Sequence, residues 1–188
     1  MRIGMSVAAA LLGVVSTSAL ALEYPLGQPV IKNGMEIQGV YLQPITMAVE
    51  GKHEMHHLAA DKSDIHLEAD IHAVEENPNG FAEGDWIPYL KVDYKVTKLD
   101  DPKKAQSGTF MAMVASDGPH YGENLKLDGY GKYRVEYRIS PPSMNDNVAF
   151  GRHIDKETGV APWFEPFDVS WDFEYAGTGR KGSYSVYY

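Results

Sequence analysis

The chain has 188 residues, with 17 Lys and Arg against 26 Asp and Glu, a formal net charge of −9 and no cysteine. So acidic a chain lacks the cation surplus that neutralises phosphates, which argues against a nucleic-acid binder, and zero cysteine removes disulfides, thiolate metal sites and a Cys nucleophile. A hydrophobic content of 44% with 23% charged residues argues for one folded domain with a core of its own rather than a disordered chain.

Residues 1–21 read as a secretory signal. Arg2 supplies the positive end, Ile3 to Val15 form an apolar stretch too short for a membrane span, and Ala19-Leu20-Ala21 is an A-x-A cleavage site. The mature protein is then expected to be residues 22–188, a single domain exported to the periplasm without stable membrane insertion.

Along the mature chain the dominant period is two, the signature of strands. Val30–Ile45 predicts one or two strands broken at Asn33-Gly34, a hairpin-turn pair. In Asp64–Val74, Ile65, Leu67, Ala69, Ile71 and Ala73 alternate with His66, Glu68, Asp70 and His72. Trp86–Leu99 sets Leu90, Val92, Tyr94 and Val96 on one side, and Thr109–Ala115 sets Met111 and Met113 opposite Phe110, Ala112 and Val114. Lys132–Ser140 and Phe167–Tyr175 complete the set, the latter with Phe167, Val169, Trp171, Phe173 and Tyr175 on one face. Turn clusters punctuate these runs, so the expectation is all-β: an antiparallel β-sandwich of about seven to nine strands, immunoglobulin-like in layout. The Gly-, Ser- and Tyr-rich tail from Gly177 to Tyr188 is open between a loose extension and an added edge strand.

Several groups could carry chemistry. His66 and Glu68, two apart on one strand, project the same way roughly 7 Å apart along it, although a polar row is also what a solvated sheet face looks like. Met113 and His120 flank the turn Ala115–Pro119, a thioether and an imidazole suited to copper, although methionine also fills cores. His153 sits in the loop Gly151–Asp155, where a histidine is more often an ordinary surface residue. His53-Glu54-Met55-His56-His57 matches the zinc-peptidase string H-E-x-x-H. That chemistry needs a helix, and the room before the strand at Asp64 allows about two turns.

Three stretches together resemble one family: Ser63–Ala73 (SDIHLEADIHA), Trp86–Leu90 (WIPYL) and Met113–Gly122 (MVASDGPHYG), with Ile139–Pro142, His153 with Asp155–Val160, and Pro166–Val169 in support. It is the family of periplasmic iron-transport accessory proteins, the Tpd-type Fe(2+) transport proteins. The resemblance spans nearly the whole mature chain. It implies an immunoglobulin-like sandwich, a homodimer, and a mononuclear copper site at His66, Met113, His120 and His153, with Glu68 as an additional or alternate ligand. It further implies a partner, an Ftr1-type iron permease in the inner membrane, with iron as cargo or substrate. Gly51–Leu58 is richer in His and Met than the family pattern, so a second metal contact at His53, Met55, His56 or His57 stays open.

Imidazoles suit Cu(II), a thioether tolerates Cu(I) and a carboxylate suits iron, so the mixture could hold copper with iron beside it. Together with what the resemblance implies, this gives the expectation of a periplasmic copper-binding protein of iron uptake, with a ferroxidase-like passage of an electron from Fe(II) to Cu(II) as a hypothesis. The rival readings are a non-catalytic interaction module or surface antigen, and the zinc peptidase.

Overall fold

The structure, a computed structural model, describes residues 23–48 and 57–178. The predicted signal segment, His53–His56 of the H-E-x-x-H string and all but the start of the tail lie outside the described residues. Ten strands are described: β1 (Tyr24–Pro25), β2 (Val30–Lys32), β3 (Met35–Leu42), β4 (Ile65–Ala73), β5 (Lys91–Lys98), β6 (Ala105–Thr109), β7 (Met111–Ala115), β8 (Gly118–Leu125), β9 (Gly131–Ser140) and β10 (Phe167–Tyr175).

They form two antiparallel sheets. One has the order β1-β3-β4-β8-β7, with β2 also paired to β3; the other has the order β10-β9-β5-β6. The expected β-sandwich is therefore the observed one, with more strands than expected. The surplus has local causes: β1 and β2 are very short, and Phe110 divides the 105–115 run, sending β6 to one sheet and β7 to the other. At the predicted hairpin, Asn33 (φ 52°) and Gly34 (φ 73°) both take the left-handed conformation, which a tight turn between twisted strands requires.

The core lies between the sheets. Ile37, Ile65, Leu67, Ala69 and Ile71 from the first sheet meet Val92, Val96, Val135, Tyr137 and Ile139 from the second, all at most 1% exposed. Each large aliphatic side chain so placed contributes roughly 1.5–3 kcal/mol by leaving water. Aromatic contacts bridge the layers, among them Tyr41 against Phe173 at 5.2 Å. A polar tie joins them as well: the Tyr137 hydroxyl donates to the Glu68 carbonyl at 2.9 Å. That bond fixes the middle of β4, where the candidate site begins.

Candidate metal centre

Register decides which side chains meet. In β4, residues 65, 67, 69 and 71 fill the core, so His66, Glu68, Asp70 and His72 point to the outer face of the sheet. Pairing of β4 with β8 sets His66 opposite Asn124 and Glu68 opposite Gly122, while pairing of β7 with β8 sets Met113 opposite His120. Residues opposite one another in antiparallel strands share a face. His66, Glu68, His120 and Met113 are thus gathered on one patch by three neighbouring strands.

This outer face is not wet. His66 is 0% exposed, His120 4% and Glu68 6%, while Met113 is half-buried. The ligand atoms of His66, Glu68 and His120 all lie within 4.8 Å of one another. Glu68 Oε1 stands 3.3 Å from His66 Nε2 and 3.2 Å from His120 Nε2. Neither nitrogen has a hydrogen-bond partner, although both are fully buried. Orphaned buried polar atoms are costly and call for an explanation, and a cation shared by the three groups supplies one. The space fits as well: a Cβ on Gly122 would stand 2.7 Å from His66 Nε2, so the missing side chain keeps that nitrogen open.

Electrostatics point the same way. Burial pushes His66 down to about 4, with the charges of His120 and His57 adding to the effect and a hydrogen bond to Asn124 opposing it. Burial also lowers His120. Both imidazoles are then neutral at neutral pH, the state that binds metal. Burial pushes Glu68 up to about 8, helped by the charges of Asp70, Glu23 and Asp117. Asp70 rises to about 7 from burial and then from Glu23 and Asp117. Crowded carboxylates that resist ionisation gain most from a cation placed among them.

The acidic groups surround a recess of about 230 Å³ lined by Glu23, Glu68, Asp70, His72, Asp117 and His120, so the cluster opens directly onto a carboxylate-walled cavity. Neither Glu23 nor Asp117 stands out in the sequence as a site residue. Asp117 could have been found as the tip of the β7–β8 turn, but Glu23 carries no local signal. Gly122 and Asn124 carry no site signal in the sequence, because β8, rich in Gly, Pro and Asn, reads as a loop. Had it been read as a strand, their spacing of two and four from His120 would have put them on its face.

His153 is elsewhere. It lies on the 151–160 loop with its side chain 75% exposed, and its Nδ1 is 2.7 Å from the Thr158 hydroxyl. It does not join the His66–Glu68–His120 group within one chain. Of the H-E-x-x-H string only His57 is described: it is not in a helix, and its Nδ1 sits 3.1 Å from Glu123 Oε1.

Two imidazoles, a carboxylate and a cross-strand thioether on one covered face of a β-sandwich make up the donor set of a metal-binding protein. The chain belongs to the Fe2+ transport protein family, whose profile matches residues 20–177. A copper-bound variant of FetP from uropathogenic Escherichia coli is 54% identical, with a TM-score of 0.76 over 83% of this chain and 99% of that one. Copper-reconstituted P19 from Campylobacter jejuni is 49% identical, with a TM-score of 0.77 over 84% and 99%. The UPF0423 protein of Brucella abortus is 59% identical over 166 residues, 88% of each chain. No described helix is long and apolar enough to cross a membrane.

Proposed function

We propose that this protein is a periplasmic copper-binding protein that serves iron uptake. His66, Glu68, His120 and Met113 hold copper, and the adjoining recess admits iron as the cargo or substrate. The observation that carries this reading is the convergence of two neutral, unpartnered Nε2 atoms and one carboxylate in a buried group. Met113, opposite His120, favours copper over zinc, because a thioether is a soft ligand. The copper-bound relatives support the same choice.

Bound copper supplies one-electron redox chemistry. The chain's own residues do the rest: His66 and His120 present lone pairs, Glu68 faces both the imidazoles and the recess, and Glu23, Asp70 and Asp117 provide hard oxygen ligands suited to iron. The protein acts after export, with residues 1–21 as its signal, and hands iron to an Ftr1-type permease of the inner membrane. It works as a homodimer, in which an exposed His153 is free to reach the metal of a second copy. That arrangement reconciles its expected ligand role with its place outside the cluster of its own chain.

The test is a Cu(II) titration of the purified mature protein followed by visible absorption and electron paramagnetic resonance, beside His120→Ala. One equivalent bound tightly by the wild type and lost in the variant is expected; binding unaffected by the variant overturns the site. If copper-loaded protein oxidises Fe(II) no faster than free copper, the redox step is abandoned and iron delivery alone remains.

A further inference from the structure

Asn124 is 2% exposed and lies opposite His66 across the β4–β8 pair. Its side chain is committed on every side. Oδ1 lies 3.0 Å from His66 Nδ1 and accepts from the Ile45 backbone N–H at 3.2 Å. Nδ2 donates to the Ile45 carbonyl at 2.8 Å and to the Leu58 carbonyl at 2.9 Å.

The backbone partners settle which way the amide points. A flipped amide would set its oxygen against two carbonyls and its NH2 against an N–H. The atom facing His66 is therefore Oδ1, and an amide oxygen only accepts. Nδ1 of His66 must carry the proton. A neutral imidazole has one N–H, so the lone pair lies on Nε2, the atom beside Glu68 and over the gap at Gly122. The opposite tautomer has its own attraction, because the Glu68 carboxyl, which keeps an acceptor oxygen even when it holds a proton, could take an Nε2–H. Two acceptors compete for one proton.

We propose that Asn124 is the positioning residue that decides this competition: by accepting from His66 Nδ1–H, it fixes the tautomer whose Nε2 lone pair faces the metal position. Its two donated bonds to Ile45 and Leu58 lock the amide in the orientation that makes it an acceptor. Metal-bound histidines generally depend on such a partner at the second ring nitrogen. The proposal rests on the copper reading only for the use of that lone pair, since the tautomer belongs to the metal-free protein.

The experiment is a long-range proton–nitrogen correlation spectrum of metal-free, nitrogen-15-labelled protein near neutral pH. His66 is expected as the Nδ1–H tautomer in the wild type and as the Nε2–H form, or a mixture, in Asn124→Ala. Cu(II) affinity, measured by competition with a chromophoric chelator, should fall about 10–100-fold in that variant. Asn124→Asp keeps the acceptor for His66 but sets its second oxygen against the Ile45 and Leu58 carbonyls; it should retain the wild-type tautomer while losing stability. An Nε2–H tautomer in the wild type overturns the proposal, as does an unchanged tautomer in Asn124→Ala. The same shifted tautomer in the Asp variant as in the Ala variant also overturns it, in favour of a role in pinning the chain at Ile45 and Leu58. The wild-type spectrum decides even if the Ala variant does not fold. Failure of the copper reading would look different: no Cu(II) bound at the cluster, with the tautomer as expected.

Discussion

β10 and β4 obey the same alternation of apolar and polar residues, yet only β4 builds a site. In β10 the pattern of burial follows the sequence residue by residue, with Phe167, Val169, Trp171, Phe173 and Tyr175 inside and Asp168, Ser170, Asp172 and Glu174 in water. Its outer charges pair with β9, Arg134 with Asp172 at 2.7 and 2.8 Å and Arg138 with Asp168 at 3.2 Å, and all four side chains are at least half exposed. In β4 the polar residues His66 and Glu68 are as buried as the apolar ones beside them. The difference is what lies above the sheet. Over β4, Asn124 ties down the chain at Ile45 and Leu58, and the β7–β8 hairpin brings His120 and Met113 alongside. A polar row in water is a solvated surface whose ion pairs are screened. The same row removed from water has shifted protonation and unmet hydrogen-bonding capacity, and so has reason to bind a cation.

Four substitutions sharpen that contrast. The largest loss of stability belongs to the apolar side of β4: Leu67→Ala, at a fully buried position, should cost about 2–5 kcal/mol in urea unfolding. A cost near zero would mean that β4 does not sit at the centre of the sandwich. Next is Gly122→Ala, whose methyl would stand 2.7 Å from His66 Nε2 and 3.2 Å from the Leu67 carbonyl. It should destabilise by about 1–3 kcal/mol and weaken Cu(II) binding at least roughly tenfold. Undiminished binding would place the metal away from the gap over Gly122.

The third test is the pH dependence of the metal-free protein. Glu68, raised from 4.5 to about 8, holds a proton in the folded state that the unfolded chain has released, so its contribution to stability is present at low pH and is lost as pH rises from about 4.5 through about 8. Asp70, raised from 3.8 to about 7, acts in the same direction. His66, lowered from 6.5 to about 4, acts oppositely, its destabilising effect fading as pH rises to 6.5. Above 6.5 the carboxylates act alone. Urea midpoints should fall between pH 6.5 and 8.5, and Glu68→Gln should flatten the fall; an unaltered slope in the variant would show that Glu68 is not the group held neutral. The smallest effect belongs to β9. Arg134→Ala breaks an exposed pair and should leave both the unfolding midpoint and Cu(II) affinity close to wild type. A clear loss of copper binding there would erase the distinction between the two sheets.

Strands with a strong apolar stripe were legible in the sequence. Phe167–Tyr175 is a strand from end to end, and Lys132–Ser140 and Asp64–Val74 match β9 and β4 to within a residue at each end. β6 and β8 were not legible. Ala105–Thr109 offers little hydrophobicity, and Gly118–Leu125 presents Gly, Pro, His, Glu and Asn, because one of its faces serves the cluster. Of the site, His66 with Glu68 follows from a spacing of two on a strand, and Met113 with His120 from the turn between them. That these two pairs meet does not follow from spacing at all.

The sequence by itself determined the period of the strands, the pairing of faces within each of them and the ligand types available, because alternation along an extended chain is a local property. Only the tertiary structure decided that β8 lies between β4 and β7, that Gly122 and not a larger residue stands opposite Glu68, and that Glu23, Asp70 and Asp117 close on the same recess. Register between strands distant in the chain is fixed by how the two sheets bury their apolar faces together. Burial, which sets the polar row of β4 apart from a solvated surface, is likewise a property of the folded whole.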